Sequence, residues 1–366
     1  MDFIPLGRPD INDQDIESVA GVLKSGMLVQ GANVQKLETA FANYHTVTHA
    51  IAVSNGTATL HLALKVLGIG PGDEVIVPAF SYIATANVVE LTGATPVFVD
   101  IDLSTYNINV EAIEAAVTEK TKAIIPVHEF GLACDIEKIC SIAKHHNIHV
   151  IEDAACALGA TQQGKHVGSF GVLGSFSLHP RKSITSGEGG VLLTDNGALA
   201  EKLRHLRNHG IDMREGVMHF VEAGFNYRLT DFQAALVLNQ FQRLNSILER
   251  KNKLARMYLS EIKNTKLTLP FVPTDRNHTW QTFHVLLNET LNQQQVMQDL
   301  KSKSIGSNYG AQCIPAQDYY VKKYGHDAAR RFPKAYQAYT KGLAIPLYER
   351  LTEDQVIYIA KTLNNL

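Results

Sequence analysis

Two kinds of apolar spacing alternate along the first two-thirds of the chain. Short, nearly unbroken runs such as "AIAVSN", "EVIVPAF", "TPVFVDID", "KAIIPVHEF", "HVIEDAA" and "LGSFSL" read as strands. Segments such as "GTATLHLALKVLG", "SYIATANVVELTG" and "IEKICSIAKHHN" carry helical spacing. Strands without polar alternation are buried on both faces, so the pattern predicts an α/β fold with a mainly parallel central sheet flanked by helices. From Thr230 the period is helical to about Ile262, with Thr230 and Gln233 as a capping box. A helix of that length is expected to bridge two domains. Beyond it, "FHVLLN" and "VMQDLKSKS" indicate a smaller α+β unit. The expected division is a large domain over 1–250 and a small C-terminal domain over 251–366.

Composition narrows the partners. Lys+Arg is 34 and Asp+Glu is 36, a net charge of −2, which gives no electrostatic reason to expect nucleic acid or an anionic membrane. Cys134, Cys140, Cys156 and Cys313 show no C-x-x-C spacing, which argues against a zinc site or a redox pair. No metal is expected, and free thiols fit a reducing compartment. The opening "MDFIPLGRPD" is no signal peptide, and no apolar run approaches the roughly 20 residues of a membrane helix. A cytoplasmic protein is expected.

Three segments carry chemistry. In "SNGTATLHLAL" a strand ends at Ser54, Gly56 makes the turn and a helix starts at Thr57 or Ala58. A helix N-terminus offers free N–H groups and a positive dipole end, so it suits a phosphate. Taken alone, the segment reads more readily as an ordinary βα turn. In "VIEDAACALGA", Asp153 ends an apolar strand, where ligands of open α/β sheets bind. A buried carboxylate there needs a partner, such as a backbone N–H, an arginine or a protonated heterocyclic nitrogen. In "SFSLHPRKSITSGEGG", Ser177 closes a strand and Lys182 stands in a turn with Gly187, Gly189 and Gly190 behind it. A phosphate cradle, an acid at a strand end and a lysine in a glycine-rich turn together meet the needs of pyridoxal 5'-phosphate.

The chain also resembles the DegT-like nucleotide-sugar aminotransferases, a group of fold-type-I pyridoxal-phosphate-dependent transferases. The likeness runs almost end to end. It includes "IPLGRPDINDQDIESVAGVLKSGMLVQG", "VPAFSYIATANVV", "IEDAACALGA", "SFSLHPRKSITSGEGG", "GFNYRLTDFQAAL" and "IPLYERLTEDQ". The resemblance implies that Lys182 is the Schiff-base lysine and that Asp153 binds the pyridine nitrogen. Tyr82 would stack on one ring face and Ala155 would cover the other. Gly56, Thr57, Ala58 and Ser177 would hold the phosphate. Asn226 would reach the cofactor phosphate of a neighbouring subunit and Arg228 the sugar-nucleotide diphosphate, so a homodimer with shared sites is implied.

The implied reaction moves an amino group from L-glutamate to a nucleoside-diphosphate keto sugar by a ping-pong mechanism, with pyridoxamine 5'-phosphate as the intermediate cofactor form. The form of the lysine segment favours a 4-keto-6-deoxy sugar. Cys156 stands where the family often has Gln or His, Met27 and Ala32 replace an aromatic and a proline, and Arg181 replaces a smaller residue. "NYGAQCIPAQDYY" matches a segment that shapes the substrate pocket, with different details. The rival readings are a sugar dehydratase on the same fold, a desulfurase and a regulatory protein. The first replaces the lysine by histidine, and the second needs a mobile cysteine for which Cys313 is a poor candidate. The third has no added effector segment. His128, in "PVHEFG", reads as a hydrogen-bonded histidine at a strand end, and Glu188 as a pocket acid or a turn-stabilising carboxylate.

Overall fold

The computed structural model describes residues 2–366. Its central sheet has seven strands: β1 (His49–Val53), β2 (Glu74–Pro78), β3 (Thr95–Val99), β4 (Thr121–Ile124), β5 (His149–Asp153), β6 (Leu173–Ser177) and β7 (Gly190–Thr194). Their order is β1-β7-β6-β5-β4-β2-β3. All neighbours are parallel except those of β7, which runs antiparallel to both β1 and β6. The valine and isoleucine side chains of these strands are buried on both faces, apart from the half-buried Val97 of the edge strand β3, as helices cover the sheet on each side. The result is the expected α/β architecture, with a mainly parallel sheet at its centre flanked by helices.

Two helices lead into the strand ends where chemistry is expected. Helix α1 (Gly56–Val66) follows β1, and α2 (Ala84–Thr92) follows β2 after the short strand Phe80–Ser81. The helical stretch after Thr230 is not continuous. It forms α3 (Asp231–Gln242) and α4 (Leu244–Glu261), interrupted at Arg243 with φ −104° and ψ 12°. Arg243 is drawn aside there. Its guanidinium donates at 2.7 Å both to the Asp10 carbonyl and to the buried carboxylate of Asp15. The Gln233 side-chain oxygen accepts from the Thr230 hydroxyl at 2.6 Å, so the expected start of the helix is in place.

Helix α4 serves two cores. Leu244 and Ile247 pack with the sheet-side cluster, whereas Leu254, Ala255 and Tyr258 pack with a second cluster. That second cluster covers a three-stranded antiparallel sheet of β8 (Leu267–Thr268), β9 (Phe283–Leu287) and β10 (Gly342–Ile345). Residue 250, where a domain division is expected, lies inside α4. Membership is not sequential: Ile4 joins the second cluster, while Cys313, Tyr320, Phe332 and Ala335 pack against the main sheet. Among the described residues no helix is long and apolar enough to cross a membrane.

Candidate active site

The carboxyl ends of β1, β5 and β6 bring the chemistry together. Asp153 is the last residue of β5 and is buried, with 5% of its surface exposed. Its Oδ2 accepts from the Thr85 hydroxyl of α2 at 2.9 Å, and its Oδ1 from the Ala155 N–H at 3.2 Å. Burial pushes the carboxyl above its ordinary range, while Thr85, Ala155 and the Lys182 ammonium pull it back. The preceding residue, Glu152, serves the scaffold instead. It accepts from His128 Nε2 at 3.0 Å and from the amides of Gly168, Phe170 and Gly171, each at 2.7 Å. Because His128 Nδ1 accepts from the Cys134 N–H at 3.1 Å, its proton sits on Nε2. His128 is thus the hydrogen-bonded strand-end histidine expected from the sequence.

The lysine turn connects β6 to β7. Leu178 N donates to Gly189 O at 2.8 Å, and Ser186 N to Leu178 O at 3.1 Å, so both limbs are tied. Gly187 has φ +81°, a conformation costly for other residues. A Cβ on Gly190 would meet the Asn55 carbonyl oxygen at 2.6 Å, so glycine there lets β7 run directly beneath the start of α1. Lys182, half-buried on this turn, donates through Nζ to Cys156 Sγ at 3.0 Å.

Helix α1 opens at Gly56, capped by Asn55, whose Oδ1 accepts from the Ala58 N–H at 2.8 Å. That bond occupies the amide of Ala58 and leaves the N–H groups of Gly56 and Thr57 as the unpaired donors of the first turn. A Cβ on Gly56 would sit 2.7 Å from Cβ of Ser177, so this glycine and the end of β6 form one wall.

Other candidates lie around this centre. Ala155 is half-buried, and Tyr82 is 66% exposed just ahead of α2. Asn226 is exposed. Arg228 is held beside the end of β1 by a bridge to Val53, and its Nη1 donates to Asn208 Oδ1 at 2.6 Å.

Two buried groups escape the sequence reading. Glu129, next to His128, is 4% exposed, and its Oε2 has no hydrogen-bond partner among the described residues. Burial, reinforced by the nearby Asp153, raises its carboxyl to about 8. Lys251 of α4 is 4% exposed and donates to Ser183 Oγ at 3.1 Å. An acid inside an otherwise apolar strand end was the available signal for Glu129. Lys251 had none.

These residues fit pyridoxal phosphate. A phosphate-sized anion has a helix N-terminus walled by Gly56 and Ser177, a ring cation has the buried Asp153, and the unpartnered Glu129 oxygen adds a buried polar atom near Asp153 and Lys182. A lysine and an acid at the carboxyl ends of such a sheet define a pyridoxal-phosphate-dependent transferase of fold type I. The chain belongs to the DegT/DnrJ/EryC1/StrS aminotransferase family, whose model matches residues 9–364. It is 38% identical over 368 residues to the spore coat polysaccharide biosynthesis protein SpsC of Bacillus subtilis, covering 97% of this chain and 94% of that protein. It is 36% identical to GDP-perosamine synthase of Escherichia coli O157:H7, covering 100% of this chain and 98% of the relative. A Streptococcus pneumoniae protein described as a candidate sugar aminotransferase, Spr1654, has been solved in its PMP form. It superposes with a TM-score of 0.94 at 30% identity, covering 99% of this chain and 97% of that one. The protein is a pyridoxal-phosphate-dependent sugar aminotransferase.

Proposed function

We propose that this enzyme moves the amino group of L-glutamate onto the keto carbon of a nucleoside-diphosphate sugar, with a 4-keto-6-deoxy sugar as acceptor, and releases an NDP-amino sugar. The observation that carries this reading is the placement of Lys182 and Asp153 at the carboxyl ends of adjacent strands in a chain of this family. The likeness to GDP-perosamine synthase supports a nucleotide-linked sugar.

In this reading Lys182 is the covalent anchor of the cofactor, Gly56, Thr57 and Ser177 bind its phosphate, and Asp153 keeps its ring nitrogen protonated. Tyr82 and Ala155 flank the ring. When bound, pyridoxal phosphate supplies an electron sink for the electrons of the breaking Cα–H bond. With the cofactor bound, the Lys182 amine would carry the α-proton of the amino donor. Cys156 Sγ, an acceptor for Lys182 Nζ, holds the amine on the Asp153 side. Donor and acceptor use one site in turn, so the kinetics are ping-pong. Asn226 and Arg228 extend toward a second copy of the chain, and the working unit is a homodimer.

The test is a panel of keto-sugar nucleotides incubated with glutamate, with the product defined by NMR. Amination at the sugar C4 of a 4-keto-6-deoxy substrate is expected. Amination at C3 alone, or turnover only of free amino acids, overturns the assignment.

A further inference from the structure

Beside Lys182 lies a cleft whose cations lack anions. It is walled by the N-terminal segment Leu6–Asp10, the lysine turn Pro180–Ser183, α4, and the stretch 345–349. Three cationic side chains line it in addition to Lys182: Arg8, Arg181 and Lys251. Among the described residues none of these three forms an ion pair with a carboxylate. Lys251 is the most exacting of them. The residue is 4% exposed, and the one hydrogen bond of its ammonium is to the Ser183 hydroxyl. A buried ammonium has three N–H groups to satisfy and an uncompensated charge. The two acids of the cleft do not answer it. Asp10 is paired with Arg350, Glu349 forms neither a hydrogen bond nor an ion pair with Lys251, and burial together with Asp10 raises the Glu349 carboxyl above its ordinary range.

We infer that this cleft is the subsite for a carboxylate of the amino donor, with Lys251 as its buried anion ligand and Arg8 and Arg181 at its rim. The inference rests on the dicarboxylate donor of the proposed function. The position suits the role, because Ser183 adjoins Lys182 in the chain, so an anion gripped by Lys251 is held next to the amine that must meet the donor's α-carbon.

The protonation of Lys251 supports this. Burial first, and then the nearby Lys182, lower it to about 7, opposed by Cys156 and Glu349. His278, which also faces it, is pushed down to about 3 by burial and carries no charge. Above pH 7 the unliganded amine is therefore largely neutral, and an entering carboxylate favours its ammonium form. Binding should take up a proton.

The experiment titrates the pyridoxal-phosphate-loaded enzyme with succinate, a dicarboxylate that cannot donate an amine. Calorimetry at pH 8 in two buffers of different ionisation enthalpy reads both affinity and proton uptake. The wild type should bind succinate with proton uptake, and Lys251→Met should bind about 10- to 100-fold more weakly without it. The Arg8→Gln/Arg181→Gln double variant, which leaves the core untouched, should also lose about tenfold. Inorganic phosphate should displace succinate poorly. Wild-type affinity in Lys251→Met and in the double variant overturns the subsite. So does displacement by phosphate at lower concentration than succinate, which would give the cleft to the nucleotide diphosphate. The colour change of the cofactor on adding glutamate is followed separately. An enzyme that glutamate converts, but whose succinate affinity ignores Lys251, sinks the subsite alone. A wild type that glutamate leaves unconverted sinks the proposed function.

Discussion

Lys182 Nζ donates to Cys156 Sγ across 3.0 Å, joining the lysine turn to the loop that follows Asp153. Burial raises the thiol above its ordinary range, and the Lys182 charge is the main influence lowering it. In Lys182→Met the alkylation of Cys156 by iodoacetamide should therefore shift to higher pH. Mass spectrometry of the labelled peptide against pH checks this, and an unchanged profile would show that the two groups do not interact.

Lys182→Ala should abolish amination, by at least about 100-fold, with an unchanged far-ultraviolet circular dichroism spectrum. Borohydride treatment of the loaded wild type should leave the cofactor fixed on the peptide containing Lys182. Adduct on another lysine would reassign the anchor.

Glu129 gives a stability signal with a definite sign. Its carboxyl is raised from 4.5 to about 8 in the folded cofactor-free chain. The folded state thus binds the proton more tightly than the unfolded state does, and this contribution is complete below about pH 4.5 and lost as pH rises through about 8. Glu129→Gln should remove the slope. Relative to wild type it should gain on the order of 1–3 kcal/mol between pH 5 and pH 8. Urea denaturation of the cofactor-free protein at the two pH values measures it, and parallel curves would place the carboxyl outside the buried site.

Gly56→Ala places a methyl group 2.7 Å from the Ser177 Cβ. It should cost about 1–3 kcal/mol of stability and weaken pyridoxal-phosphate binding. Adding Ser177→Gly makes room, so the double variant should regain most of the melting temperature. Failure to regain it would mean that the contact is relieved by movement of α1 instead.

Arg228→Ala should raise the KM for the sugar nucleotide more than that for glutamate. Half-reactions measured separately from the cofactor absorbance decide this, and equal losses in both would remove Arg228 from the diphosphate site.

What could be read from the chain depended on whether the cause was local. Strands buried on both faces announce themselves by unbroken Val and Ile, so the central sheet was legible. The clustering of Gly56, Asp153, Ser177 and Lys182 was legible for the same reason: each stands at a strand end or turn with its own signature. Lys251 was not. In "ERKNK" it is indistinguishable from Lys253, yet Lys253 has 58% of its side chain exposed while Lys251 is sealed against the lysine turn. Only the packing of α4 against Ser183 separates them. The interruption at Arg243 was hidden likewise, because its cause, Asp15, lies in a distant part of the sequence.

The antiparallel course of β7 has a further consequence. The strand returns straight from the glycine turn into the heart of the sheet, hydrogen-bonded to β1 on one side and to β6 on the other. The turn that presents Lys182 is thereby tied at both ends into the central sheet. Rotation about the four methylene bonds of Lys182 then gives the amine its travel toward the donor without breaking either mooring, a short tether on an anchored post.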